Sequence, residues 1–255
     1  MIITEDFVLL NFPKTGTSFT RKIIKKVYKD KCEEVLFPYF YNNRPTGDMH
    51  PHASYSRIPT EHRRKTILSI VRNPFDRYVS QFFYKQWLIE PPASKEILED
   101  IYPNFPKMEF IDFLDMVDKF QKKNVFARHN MTCNTDTDIG LHTIQFVVFH
   151  SINPQGALEE LIQGKSNPLL KLPKIKFLRQ EFLRDDLKAF LVGLHCDKEQ
   201  SITKIMSSEE DENVSRLPQE RDWRQYWTAD LLNIYSQKEQ LLLNVFPEYK
   251  LNDQI

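Results

Sequence analysis

The sequence predicts an α/β fold with a central, mainly parallel sheet flanked by helices. Three observations carry that expectation. An apolar run, Phe7–Asn11, ends in Pro13-Lys14-Thr15-Gly16-Thr17-Ser18 and continues into a basic, helix-like segment, Ser18–Tyr28. A second apolar run, Thr66–Val71, ends in Arg72-Asn73-Pro74 and again enters a helical pattern. Strand, turn and helix recurring in this order predict parallel pairing, because parallel neighbours need a crossover, usually a helix. At 255 residues, with 41% hydrophobic and 13% aromatic content, the chain has ample material for one core, and we read residues 1–255 as a single domain.

Each element has a local reason. Phe7–Asn11 reads as a buried strand, and Phe19, Ile23, Ile24 and Val27 recur at helical spacing in the segment after it. Thr66–Val71 is short and β-branched, as buried strands are. Asn73 is placed to cap, and Pro74 to occupy the first turn of, a helix running to about Leu88. Proline and charge over Pro91–Lys107 predict an exposed connection. Helices are expected at Met108–Lys122 and Gly156–Gln163, and a strand at Ile175–Leu178. The acidic stretch Ser207–Asn213 reads as a mobile surface loop. A last helix is expected from an N-cap at Thr228 to about Phe246, burying Leu232, Tyr235, Leu242 and Phe246. The sequence carries no internal repeat.

Formal net charge is zero, which gives no general attraction to nucleic acid or anionic membrane. The distribution is uneven: residues 1–90 hold 15 Lys+Arg against 9 Asp+Glu, so the N-terminal third is electropositive. Cys32, Cys133 and Cys196 are odd in number and form no C-x-x-C pair, so neither a disulfide framework nor a zinc site is indicated and a reducing cytoplasm fits best. No leader-like or membrane-spanning apolar stretch is present, and the expectation is a soluble cytoplasmic protein.

The first turn is the kind that holds a phosphate, since unpaired N–H groups and the dipole of a helix N-terminus both point at an anion. It is not a Walker loop, because its lysine precedes its only glycine. A Walker enzyme also needs a carboxylate at a neighbouring strand end to hold Mg²⁺, whereas Thr66–Val71 ends in Arg72, which repels a metal and attracts a second phosphate. Helical spacing puts Asp76 and Ser80 on one face, so Arg72 and Ser80 converge on one anion. Two grips at two strand ends describe a ligand with two separated phosphates. A nucleotide-dependent, kinase-like phosphotransferase and a non-catalytic nucleotide- or glycan-binding module stand as alternatives.

The pair FPKTGTS and VRNPFDRYVS resembles the 5′-phosphosulfate loop and the 3′-phosphate motif of sulfotransferases that use 3′-phosphoadenosine 5′-phosphosulfate (PAPS). The resemblance extends to GDMHPHASYSRIP, FLRQEFLRDDL and RDWRQYWTADLLNIY, and so covers most of the chain. It implies a P-loop-NTPase-like sulfotransferase fold and metal-independent transfer of a sulfuryl group from PAPS to an acceptor hydroxyl or amine; the acceptor expected is a carbohydrate or small metabolite, with peptide tyrosine left open. It further implies that Lys14, Thr15, Gly16, Thr17 and Ser18 hold the 5′-phosphosulfate and Arg72 and Ser80 the 3′-phosphate. A basic loop before the last helix, matched here by Arg216, touches the nucleotide.

Sulfuryl transfer is an in-line displacement dominated by positioning and charge stabilisation. Lys14 neutralises charge on the leaving oxygen, and an acceptor hydroxyl needs a base, for which histidine suits neutral pH. His50 and His52 lie in the loop feeding the second motif, near where the family often has its base, and His52 is the assignment; some branches of the family use glutamate. His62, His129, His142, His150 and His195 read as structural. Phe37, Tyr39, Phe40, Tyr41, Tyr84 and Trp87 either line an acceptor cleft or belong to the core.

Overall fold

The computed structural model describes residues 1–41, 44–128, 131, 137–164, 172–209 and 222–251. Its centre is a five-stranded sheet built from β1 (Ile2–Thr4), β2 (Phe7–Leu9), β3 (Cys32–Glu34), β6 (Thr66–Val71) and β7 (Ile175–Arg179), in the order β3-β1-β2-β6-β7. The pairs β2–β6 and β6–β7 are parallel; β6 and β7 end level, with Val71 opposite Arg179, while β2 ends earlier, with Leu9 opposite Leu68. The short strands β1 and β3 extend one edge in antiparallel fashion. A separate antiparallel hairpin, β4 (Phe37–Tyr41) and β5 (Arg44–His50), stands beside the sheet.

Alternation along the strands sends side chains to two cores. Phe7, Leu9, Leu68, Ile70 and Leu178 face α1 (Thr17–Tyr28), α9 (Leu183–Leu194) and α10 (Glu199–Ser208), packing on Phe19, Ile23, Leu187, Phe190 and Met206. Val8, Leu10 and Ile67 point the other way, against Ala53, Tyr55 and Ile58. Phe12 and Val71 join the largest cluster, which is built on α2 (Pro74–Tyr84), α5 (Phe110–Met116), α7 (Leu141–His150), α11 (Ala229–Lys238) and α12 (Gln240–Val245).

Several boundaries differ from expectation. The helix after Asn73 stops at Tyr84, where Lys85 turns into the left-handed region (φ 55), and a short helix α3 (Gln86–Ile89) follows. Pro91–Lys107 is not simply an exposed connection: Ser94 caps a helix α4 (Lys95–Ile101) that buries Leu98, and Tyr102 beyond it is buried as well. The charged residues around Leu98 hid this apolar pair, which is spaced one helical turn apart. The helix expected at Met108–Lys122 is α5, one wider turn at Val117–Gln121, and then α6 (Lys122–Arg128). Helix α8 (Pro154–Ile162) starts at an Asn153 cap. Ser207 and Ser208 belong to α10 rather than to a loop, and Glu209 is buried and ion-paired with Lys22 and Lys26; residues 210–213 lie outside the described part. Thr228 caps the last helical stretch as expected, but Glu239 divides it into α11 and α12. Among the described residues no helix is long and apolar enough to cross a membrane.

Candidate active site

The Pro13–Ser18 turn leaves the end of β2 in two left-handed steps. Lys14 sits at φ 64 and Gly16 at φ 86. Glycine is required at the second step on two counts. The conformation disfavours a side chain, and a Cβ would meet Leu183 Cδ2 at 2.6 Å. Gly16 is the N-cap of α1 and makes no side-chain cap, which leaves the first N–H groups of this helix in the arrangement that receives an anion. Thr15 donates its hydroxyl to the Phe12 carbonyl at 2.8 Å, and Thr20 donates to Gly16 O at 3.3 Å, so the loop is braced from both sides. Lys14 places its ammonium over the ring of Tyr84.

The second motif meets the first directly. Arg72 donates from Nε to Asp76 at 2.7 Å and from Nη1 to the Lys14 carbonyl at 3.4 Å. Asn73 accepts from the N–H groups of Phe75 and Asp76, fixing the start of α2. Ser80 lies one turn beyond Asp76, half-buried on the same face. The loop after β7 closes the third side: Asn73 N donates to Glu181 at 2.7 Å, and Gln180 and Leu183 pack on Gly16. Lys14–Ser18 and Arg72 therefore meet beyond the carboxyl ends of β2 and β6, beside the loop after β7, where ligands of open α/β sheets bind, and Ser80 stands on the adjoining helix α2. Arg216 lies outside the described residues.

His52 reaches the same edge from the segment after β5. Its Nδ1 is 3.0 Å from the Asn11 carbonyl, and a carbonyl only accepts, so Nδ1 carries the proton and Nε2 keeps the lone pair. Burial pushes its pKa down to about 4, against the pull of the Asn11 bond, so the ring is neutral at pH 7. His50 accepts the His52 backbone N–H on its Nδ1 at 3.1 Å and stands edge-on to Tyr39.

The model described as "Sulfotransferase family" matches residues 3–145, more than half of the chain, and takes in the Pro13–Ser18 loop, the Arg72–Ser80 segment and the His52 segment. The chain belongs to the sulfotransferase family. Among solved structures it is similar to mouse sulfotransferase SULT7A1 complexed with PAP, at 16% identity and a TM-score of 0.47, over 96% of this chain and 89% of that one. No curated protein matches it.

In this sulfotransferase the remaining sequence candidates separate cleanly. His150 is structural, donating from Nδ1 to Phe146 O and accepting from Ser69 on Nε2. His142 is fully buried, and His195 bonds Tyr28 and Asp6 far along the strand from the loop. His129 lies outside the described residues. Trp87 is core, packed against Phe105 and Phe113, whereas Tyr84 is exposed beside Lys14. Phe37 packs at the edge of the core beside Ala53 and Tyr55, Tyr39 bonds Glu90, and the side chains of Phe40 and Tyr41 are not among those described. Sequence reasoning missed Glu181 and Arg77. Arg77 had a signal: it sits between Phe75 and Tyr78–Val79 on a helix whose buried side is otherwise apolar.

Proposed function

We propose that this sulfotransferase takes its sulfuryl group from PAPS and transfers it to a hydroxyl or amine of a carbohydrate or small-molecule acceptor, with His52 as general base. The observation that carries the donor reading is the Arg72–Lys14 bond, which joins two anion grips at adjacent parallel strand ends. The donor set fits a molecule with a phosphosulfate at one end and a phosphate at the other: an uncapped helix N-terminus, a lysine, an arginine and hydroxyls. On this reading Lys14 leaves the Tyr84 ring to offset charge on the bridging oxygen, while the Lys14–Ser18 loop holds the adjacent phosphate. Removing one such donor typically costs about 3–4 kcal/mol of barrier.

The preference for His52 over His50 rests on tautomers. A neutral His50 already uses its basic nitrogen to accept the His52 N–H, whereas the Asn11 bond leaves His52 Nε2 with a lone pair for the acceptor proton. Tyr39, Tyr84 and Glu90 stand around this edge and supply the aromatic and polar surface an acceptor ring would use. Incubating the enzyme with PAPS carrying radiolabelled sulfate and a panel of carbohydrates, phenols, alcohols and amines tests the reading. Label transferred to an acceptor without added divalent metal is the expected result; phosphate transfer from ATP–Mg²⁺ instead would replace it with a kinase-like activity.

A further inference from the structure

We propose that Arg77, although it belongs to the second motif, is a positioning residue for the first: it pins the carbonyl side of the Pro13–Ser18 loop so that the loop's N–H groups face the donor's 5′-phosphate. The inference rests on the sulfotransferase reading and adds a role that neither motif carries.

Arg77 is buried, 1% exposed, under the loop. Its Nη2 donates to Pro13 O and to Gln145 Oε1, both at 2.8 Å, and its guanidinium lies 4.1 Å from the centre of the Phe12 ring. Its Nε and Nη1 have no hydrogen-bond partner among the described residues, and no carboxylate there lies within ion-pair distance of it. A well-packed apolar side chain is often as stable as a buried charge. What Arg77 supplies instead is direction. In a trans peptide the C=O and N–H point opposite ways, so holding Pro13 C=O on the buried side turns Lys14 N–H away from it. Arg72 does the same for the next peptide, through Lys14 C=O. Two consecutive arginine-held carbonyls on a left-handed turn give the row of outward N–H groups that an anion nest requires.

Gln145 extends the brace to α7, so the loop is tied to three elements: α2 through Arg77, α7 through Gln145, and β6 through Arg72. The 3′ motif and the 5′ grip then act as one unit.

Calorimetric titration of wild type, Arg77→Lys and Ser80→Ala with adenosine 3′,5′-bisphosphate and with 5′-AMP tests this. Lysine keeps the charge, but its ammonium ends one bond short of the Nη2 position that reaches Pro13 O and Gln145 Oε1, and it has no planar face to lie against Phe12. Arg77→Lys is expected to weaken both ligands by a similar factor, about tenfold or more, while Ser80→Ala weakens only the bisphosphate. An Arg77→Lys protein that binds 5′-AMP as wild type does would overturn the assignment, whether or not the bisphosphate suffers. Gln145→Met, which keeps the arginine and the helix, covers the case in which Arg77→Lys does not fold. It is expected to weaken both ligands several-fold, and wild-type affinity for both would equally sink the proposal. Failure of the wild type to bind the bisphosphate at all would instead remove the donor reading beneath it.

Discussion

Lys14 holds a left-handed backbone (φ 64) that lysine adopts only at a cost of roughly 1–2 kcal/mol, the kind of local strain that persists where function needs the side chain. Lys14→Gly relieves that strain while loosening the unfolded chain. Its melting temperature should therefore stay close to wild type, a stability change within about 1 kcal/mol, while turnover falls by about 10²- to 10³-fold. A large loss of stability with activity retained would show that the lysine is there for packing. His52→Ala should lower turnover by about 10²- to 10⁴-fold with donor affinity nearly unchanged, because the lost interaction belongs to the transition state. With its folded pKa near 4, His52 is already an unprotonated base above pH 5, so kcat/KM should be flat from pH 5.5 to 8 as far as this group is concerned. A wild-type limb rising through pH 6.5 would point to a different, solvent-like imidazole. The residues proposed to hold phosphate were legible because Gly, Lys, Thr and Ser in a turn have few other reasons to occur together. Arg77 was less so: its place between Phe75 and Tyr78–Val79 hints at burial, but an arginine in RNPFDR reads as solvated until packing shows it buried.

At the scale of elements, the fold depends on a contact that nothing local announces. Helix α7 has glycine at its N-cap and no side-chain cap of its own. The Glu239 carboxylate, from the break between α11 and α12, takes its place: it accepts from His142 N at 3.1 Å, Thr143 N at 2.7 Å, the Thr143 hydroxyl at 2.7 Å and the Tyr78 hydroxyl at 2.6 Å. Gly140 exists to admit it, since a Cβ there would lie 2.1 Å from Glu239 Oε1. Gly140→Ala should therefore destabilise by about 3–5 kcal/mol, the cost of uncoupling a buried carboxylate. Gly193→Ala, in α9 with open space around it, should stabilise by about 0.5 kcal/mol. Thermal melts of the two variants decide the matter, and equal effects would refute the cap. Local signals were enough for β2, α1, β6 and the Asn73 and Thr228 caps, whose determinants lie within one turn of sequence. They were not enough for α4, whose buried Leu98 and Tyr102 are set among charges, or for the Glu239 break, which is fixed by residues about a hundred positions away.

Across the whole molecule, the electropositive N-terminal third and the remainder meet at the strand ends where the proposed anion grips lie. The buried histidines add an acid sensitivity. Burial holds His52 near 4, His150 near 3 and His142 well below the ordinary value, so below about pH 6.5 the unfolded chain takes up protons that the folded chain refuses. Stability is expected to be unaffected by these groups above pH 6.5 and to fall as pH drops from there toward 4. Denaturant titrations at pH 7.5, 6 and 5 will show it, and a midpoint that does not move would mean that these rings are solvated. On the proposed function the two grips serve one ligand. Isothermal titration of the wild-type chain with adenosine 3′,5′-bisphosphate, 5′-AMP and ATP–Mg²⁺ measures that directly. Binding of the bisphosphate without metal, at least tenfold tighter than either of the others, is what a charge-assisted 3′-phosphate contact predicts; equal or tighter binding of ATP–Mg²⁺ would contradict it.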